Sequence, residues 1–230
     1  MKASKLLKQP EITLYHGNKD KNMKPKFGFD NPNNDYGSGF YTTPDINLGR
    51  EWAYCQYTSG SNGYLFTYKL DLNGLNILDL TRVDSLHWIA ELAYNRKINT
   101  IRKEVLAENI KEFVRRYKID TSGYDVIIGY RADDSYFTYA SDFLSGAIYK
   151  DTVDKALRYG DLGIQVFIKS KKAFDQLKQV GAVETVDKSY REKYIKREKA
   201  AKDKYRQDKL FEKSSRDKRT IYDFLGGHHG

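Results

Sequence analysis

Every strand-like run in this chain is short, and helical runs of unequal length separate them. That spacing constrains the fold more than any single residue does. EITLYHG (11–17) and GSGFYTT (37–43) read as short strands, the second entered through glycines. GYLFTYKLDL (63–72) sets Leu65, Thr67 and Lys69 against Phe66, Tyr68 and Leu70, the period of two that a strand requires. LNILDL (75–80), GYDVIIGY (123–130) and GIQVFIKS (163–170) follow, and the β-branched run of GYDVIIGY marks it as buried. DINLGREWAYCQYT (45–58) brings Ile46, Trp52, Ala53 and Tyr57 near one helical face. Further helical patterns cover SLHWIAELAYNRK, TIRKEVLAENIKEFVRRY, ADDSYFTYASDFLSG and YKDTVDKALRYG, with a short one at KKAFDQLKQVG. There is no internal repeat. The pattern predicts an α+β fold and excludes a regular βαβ array.

After Gly181 the composition changes. Residues 187–219, DKSYREKYIKREKAAKDKYRQDKLFEKSSRDKR, lack Gly and Pro, and Tyr190, Tyr194, Ile195 and Tyr205 supply only a thin apolar stripe. The expected organisation is a domain over 1–183 and a basic, charged, mostly helical arm over 184–230, with TIYDFLGG as a short apolar anchor. Glu192 with Lys196 and Glu198 with Lys202 have the spacing of four that supports a helix, but only by about 0.2–0.5 kcal/mol a pair. The tyrosines of the arm must therefore dock on the domain, or the arm must fold on a partner. The net charge of +9 favours acidic partners: nucleic acid, anionic cofactors or acidic proteins. Cys55 is the sole cysteine, so no intramolecular disulfide forms and a reducing, cytoplasmic setting is expected. No apolar run suits a leader or a membrane span. The sequence has no Walker-type phosphate loop, no dinucleotide glycine fingerprint, no Cys/His spacing for zinc and no Gly-x-Ser-x-Gly elbow. No histidine is patterned to activate Cys55, and the terminal HHG is not read as a metal site.

Five pieces occur in order: LYHG (14–17), DYGSGFYTT (35–43), YNR (94–96), YDVIIGYRADD (124–134) and a late strand carrying Gln165. Together, over about residues 12–180, they resemble the DUF3990 family, placed within the ADP-ribosyltransferase superfamily. The resemblance implies a split, mixed β-sheet with helices around an NAD cleft, the basic helical segment being a C-terminal extension. It implies a mono-ADP-ribosyltransferase that uses NAD as substrate, needs no metal and modifies a macromolecular acceptor, protein or nucleic acid. Small cytoplasmic members of the superfamily are often toxins of toxin–antitoxin or phage-defence systems, so the resemblance also implies an antitoxin protein as partner.

The resemblance assigns roles residue by residue. His16 would hydrogen-bond a ribose hydroxyl, and Gly17 would let the backbone approach the dinucleotide. Tyr41 would stack on the nicotinamide, with Thr42 beside it on the strand. Gly37 and Gly39 would relieve crowding, and Tyr54 would form a second aromatic wall. Arg96 and Arg131 would pair with the pyrophosphate. Most of the superfamily has Glu where this chain has Gln165. An amide oxygen still accepts a hydrogen bond, but charge-assisted bonds are about twice as strong, and an amide cannot act as a general base. Either another carboxylate helps, with Asp133 and Asp134 the nearest candidates, or the acceptor is already nucleophilic, and Gln165→Glu is expected to keep or raise glycohydrolysis. Bland readings stand beside these: His16 as a structural strand-end residue, Tyr41 as core, Asn95 and Arg96 as a helix end, Asp133 and Asp134 as an N-cap pair. Two other functions remain open: a catalytically weak NAD-binding module, and a nucleic-acid-binding protein acting through the arm.

Overall fold

The computed structural model describes residues 6–28, 31–55, 61–96, 104–132, 134–159, 163–210 and 212–226. Two sheets of alternating register organise them. In the first, β3 (Gly63–Asp71) is central. It pairs antiparallel along one edge with β1 (Glu11–Asn18), from Glu11 opposite Asp71 to Asn18 opposite Tyr64. Its other edge takes two three-residue strands, β7 (Leu177–Gln179) and β8 (Glu184–Val186). The second sheet has the order β2 (Phe40–Thr42), β6 (Ile164–Ile168), β5 (Val126–Tyr130), β4 (Ile77–Asp79). Its β4–β5 pair is parallel and the other two are antiparallel. The sheets meet at one point. Tyr15 and Thr43 exchange both backbone hydrogen bonds, at 2.8 and 2.9 Å, and β1 and β2 share no further ladder. The chain is thus α+β with mixed sheets.

Strand alternation decides which core each side chain enters. Ile12 and Leu14 of β1 and Phe66, Tyr68 and Leu70 of β3 face Phe40, Val126, Ile128, Val166 and Ile168, forming a core between the sheets. The intervening residues Ile127 and Phe167 point the other way, into a larger core with the helices. That core is built from α2 (Ser85–Asn95), α3 (Glu104–Tyr117), α4 (Asp134–Leu144) and α5 (Lys150–Tyr159). Trp88 is at its centre, fully buried, its indole N–H shared between the Tyr36 hydroxyl and the Tyr130 carbonyl. The far face of the first sheet is covered by α1 (Ile46–Trp52), capped by the Asp45 carboxylate. A short helix, α6 (Lys171–Asp175), links β6 to β7.

The expected boundary between 183 and 184 does not coincide with a break. Glu184 opens a strand that pairs with β3, and its carboxylate takes a bidentate pair of hydrogen bonds from Arg50 of α1 at 2.8 and 3.1 Å. The charged segment is a 22-residue helix, α7 (Ser189–Leu210), with no buried residue. It is held along one side. The Tyr190 hydroxyl donates to Asn47, the Arg197 guanidinium to Glu51 at 2.5 Å, and the Tyr205 hydroxyl to Asp142, with the Tyr205 ring edge-on to Tyr139. The chain ends in α8 (Ile221–Leu225), whose Ile221 is fully buried in the helical core. Residues 56–60, Tyr57 among them, and the terminal histidines lie outside the described residues.

Candidate functional site

A cleft of about 540 Å³ opens where the two sheets part. From the residues expected at a site it gathers His16, Gly17, Tyr41, Arg96, Arg131 and Gln165. His16 lies on β1 just past the Tyr15–Thr43 bridge, with its ring 4.7 Å from that of Phe40. Its Nδ1 lies 2.7 Å from the Tyr41 carbonyl, which can only accept, so Nδ1 carries the proton. Nε2 is then an acceptor, and the Asn18 amide approaches it at 3.5 Å. The histidine thereby ties the two strands together across the split while presenting a basic nitrogen at its edge.

Tyr41 and Gln165 share the cleft because of register. Tyr41 stands opposite Phe167, so Tyr41, Phe167 and Gln165 lie on one face of the second sheet. The Tyr41 hydroxyl donates to the Gly37 carbonyl and accepts from the Tyr36 N–H, fixing the loop that enters β2.

The sequence reading missed the centre of this site. Asp35, only 4 % exposed, is the hub of the polar network. Its Oδ1 accepts from Arg96 at 2.5–2.6 Å, and its Oδ2 accepts from the Ala132 N–H at 2.9 Å and from the Gln165 amide at 2.8 Å. A carboxylate accepts only, so it fixes the Gln165 amide with nitrogen toward Asp35 and the carbonyl oxygen turned away. Arg96 also donates from Nη2 to the Ala132 carbonyl at 2.6 Å and stacks on Phe137. It braces Asp35 while lining the cleft. The signal for Asp35 was its place at the head of DYGSGFYTT, where an acidic residue precedes a tight aromatic loop.

Four expectations change. Thr42 alternates with Tyr41, so it faces the core between the sheets and donates to the Val166 carbonyl at 2.7 Å. Tyr54 is 2 % exposed behind the first sheet, with its hydroxyl on the Val186 carbonyl, and is no wall of the cleft. Gly39 serves packing: a Cβ there would come within 2.4 Å of the Phe167 ring and 2.6 Å of the Ile168 carbonyl. Gly17 does line the cleft, but its missing side chain is required by α1, since a Cβ would sit 2.2 Å from the Gly49 carbonyl and 2.3 Å from the Ala53 nitrogen. Asp133 and the Asp134 side chain lie outside the described residues; Asp134 opens α4. Among the described residues that line the cleft, Asp35 is the one carboxylate.

The remaining wall is aromatic and basic. The Arg131 guanidinium lies 5.2 Å over the Trp52 ring and donates to the Cys55 sulfur at 3.4 Å. Burial pushes the Cys55 thiol pKa up, and Arg131 and Arg197 only partly offset it, so the thiol stays protonated and is a poor nucleophile. The Trp52 indole N–H is buried with no partner among the described residues. Tyr194 of α7 closes this side. Among the described residues no cluster of His, Cys, Asp and Glu has the arrangement of a metal site, and no helix is long and apolar enough to cross a membrane.

No curated protein and no solved structure matches this chain significantly. The family model described as "Protein of unknown function (DUF3990)" matches residues 12–179, which hold both sheets up to β7 and every cleft residue except Tyr194. The chain belongs to the DUF3990 family.

Proposed function

We propose that this protein is a mono-ADP-ribosyltransferase of the ADP-ribosyltransferase superfamily, binding NAD in the cleft where the sheets part. The observation that carries the reading is the convergence of His16, Tyr41 and Gln165, distant in sequence, on one opening beside the Asp35–Arg96 pair. In this reading His16 Nε2 accepts from a ribose hydroxyl, and the Tyr41 ring lies against the nicotinamide. The bond from ribose C1′ to the pyridinium nitrogen breaks, and its electron pair leaves with neutral nicotinamide. The Gln165 carbonyl oxygen, aimed by Asp35, accepts from the 2′-hydroxyl and steadies the oxocarbenium-like ribose. A lone pair of the acceptor then forms the new bond to C1′ and its proton is lost. Both Asp35 oxygens are already engaged, by hydrogen bonds from Arg96, the Ala132 N–H and Gln165 and by a second Arg96 contact, so the reading requires an acceptor that is nucleophilic in its own right. A macromolecular acceptor and a neutralising protein partner follow from the same reading.

The neutral amide at Gln165 favours a second reading, an NAD-binding module with little turnover. Incubation of the pure protein with NAD labelled in its adenylate half, alone and with cell extract, separates the two. Transfer of label to a macromolecule with release of nicotinamide supports the transferase, and saturable NAD binding without release supports the module. Absence of both overturns the NAD assignment.

A further inference from the structure

The α7 helix carries nine basic and four acidic residues, and the fold sorts them. Tyr190, Tyr194, Arg197, Ala201, Tyr205 and Asp208 succeed one another at helical spacing on the side that meets the domain. Three of the four acids, Glu198, Asp203 and Asp208, are half-buried, and only Glu192 is exposed. The exposed charges are otherwise basic: Arg191, Lys193, Lys196, Lys199, Lys202, Arg206 and Lys209. Lys196, Lys199 and Lys202, one helical turn apart from each other, have no ion-pair or hydrogen-bond partner among the described residues. From Arg191 to Lys209 the basic face extends about 27 Å at 1.5 Å per residue.

We propose that this face of α7 docks the phosphate backbone of a nucleic-acid strand. Cations repeat at every turn with one acid among them, which suits a polymer of evenly spaced negative charge. A protein partner suits it poorly, because protein interfaces are depleted in lysine and centred on apolar or aromatic side chains. Here the large exposed apolar residues are Ile195 and Leu210, about 22 Å apart along the helix. A membrane-surface helix would need a continuous apolar face. Tyr194 belongs both to α7 and to the wall of the cleft, so a strand lying along the helix passes beside the cleft. Resting on the transferase reading, this makes nucleic acid the acceptor class, although docking itself is independent of NAD.

The test is fluorescence anisotropy of the full chain without NAD, using a labelled 20-nucleotide RNA, the same sequence as single-stranded DNA, and polyglutamate, across a salt series. We expect binding to RNA, DNA or both, with log affinity falling linearly with log salt. In Lys196→Gln/Lys199→Gln/Lys202→Gln the slope falls by about two to three, at roughly 0.7–0.9 per lost phosphate contact. Replacing the exposed Lys21, Lys24 and Lys178 by Gln should leave it unchanged. The proposal is overturned if neither nucleic acid binds at low salt, if the α7 triple variant keeps the parental slope, or if polyglutamate binds as tightly as the strands. Since NAD is absent, failure of the transferase reading leaves this result intact, and the triple variant should release nicotinamide from NAD at the parental rate.

Discussion

Asp35 and Gln165 form a matched pair in which each residue type depends on the other. The amide nitrogen of Gln165 lies 2.8 Å from a carboxylate that is buried and already pinned by Arg96. Gln165→Glu would set two carboxylates at that separation, and one would have to take up a proton. The expectation that this exchange keeps or raises glycohydrolysis therefore reverses. The variant should lose thermal stability at neutral pH, and the deficit should narrow toward about pH 5 as one carboxyl protonates. Equal deficits at both pH values would sink the pairing argument. His16→Ala removes the link to the Tyr41 carbonyl and the acceptor facing the ribose. NAD-dependent activity should fall at least about tenfold while circular dichroism still reports a folded chain, and unchanged activity would take His16 out of the site. Glu91 gives a pH signature of its own. Burial pushes its pKa up, against the pull of Lys118 and Asn95. A folded pKa above the unfolded one means that the native state binds the proton more tightly, so the stability from Glu91 is present at low pH and lost as pH rises through the folded value. Between about pH 4 and pH 7, the melting midpoint of Glu91→Gln should gain steadily on wild type, and parallel curves would refute the sign. At this scale His16, Tyr41 and Gln165 were legible because each sits in a short motif. Asp35 was not, because its place at the head of DYGSGFYTT marks a loop but does not show that its carboxylate is buried under an arginine 61 residues away.

Among the elements, those with apolar or aromatic residues to mark them were legible, down to the three-residue β2 and β4, and the polar three-residue β7 and β8 were not. The alternation of GYLFTYKLDL appears in β3, with Phe66, Tyr68 and Leu70 buried between the sheets. LKQ reads as the end of the helix KKAFDQLKQVG and ETV as no element, because both are too short and too polar to show a period; the helix stops at Asp175, and β7 and β8 are strands only because β3 offers them an edge. Tertiary context overrides local preference in such cases. Gly17 shows the same override in reverse. Read beside His16 it suggested room for a ligand, yet the space it vacates is filled by the backbone at the end of α1. Gly17→Ala must push α1 off the first sheet or bend β1. Overpacking of this kind costs about 1–3 kcal/mol, which at about 2–4 °C per kcal/mol for a chain of this size lowers the melting midpoint by several degrees. A Gly17→Ala protein that melts with wild type would show that the close approach of α1 is not a feature of the native state.

Across the whole molecule, the charged C-terminal segment is part of the folded body, for reasons that sequence composition hides. The sequence leaves two outcomes for this helix, docking on the domain through its tyrosines or folding on a partner, and Tyr190 and Tyr205 are docked. In place, polar contacts fasten the helix: Tyr190 to Asn47 and Arg50, Arg197 to Glu51, and Tyr205 to Asp142. Beyond α7, Ile221 enters the core made by α2 to α5, and the Phe224 carbonyl accepts from the Tyr117 hydroxyl and from Arg116 at 3.2 Å. The last helix is thus a plug for the same core that supports β5 and β6 behind the cleft. Removing residues 187–230 would expose that core and strip Tyr194 from the cleft wall, so a truncated chain cannot report on α7 alone. Ile221→Ala isolates the plug. Truncating a fully buried isoleucine costs about 2–5 kcal/mol, and with α8 tied to α3 the whole domain should melt earlier in a single transition, by roughly 4–20 °C. If only α8 detached, the global midpoint would stay at the wild-type value while the backbone amides of 221–225 alone lost protection from hydrogen exchange, and the C-terminal segment would then be an appendage after all.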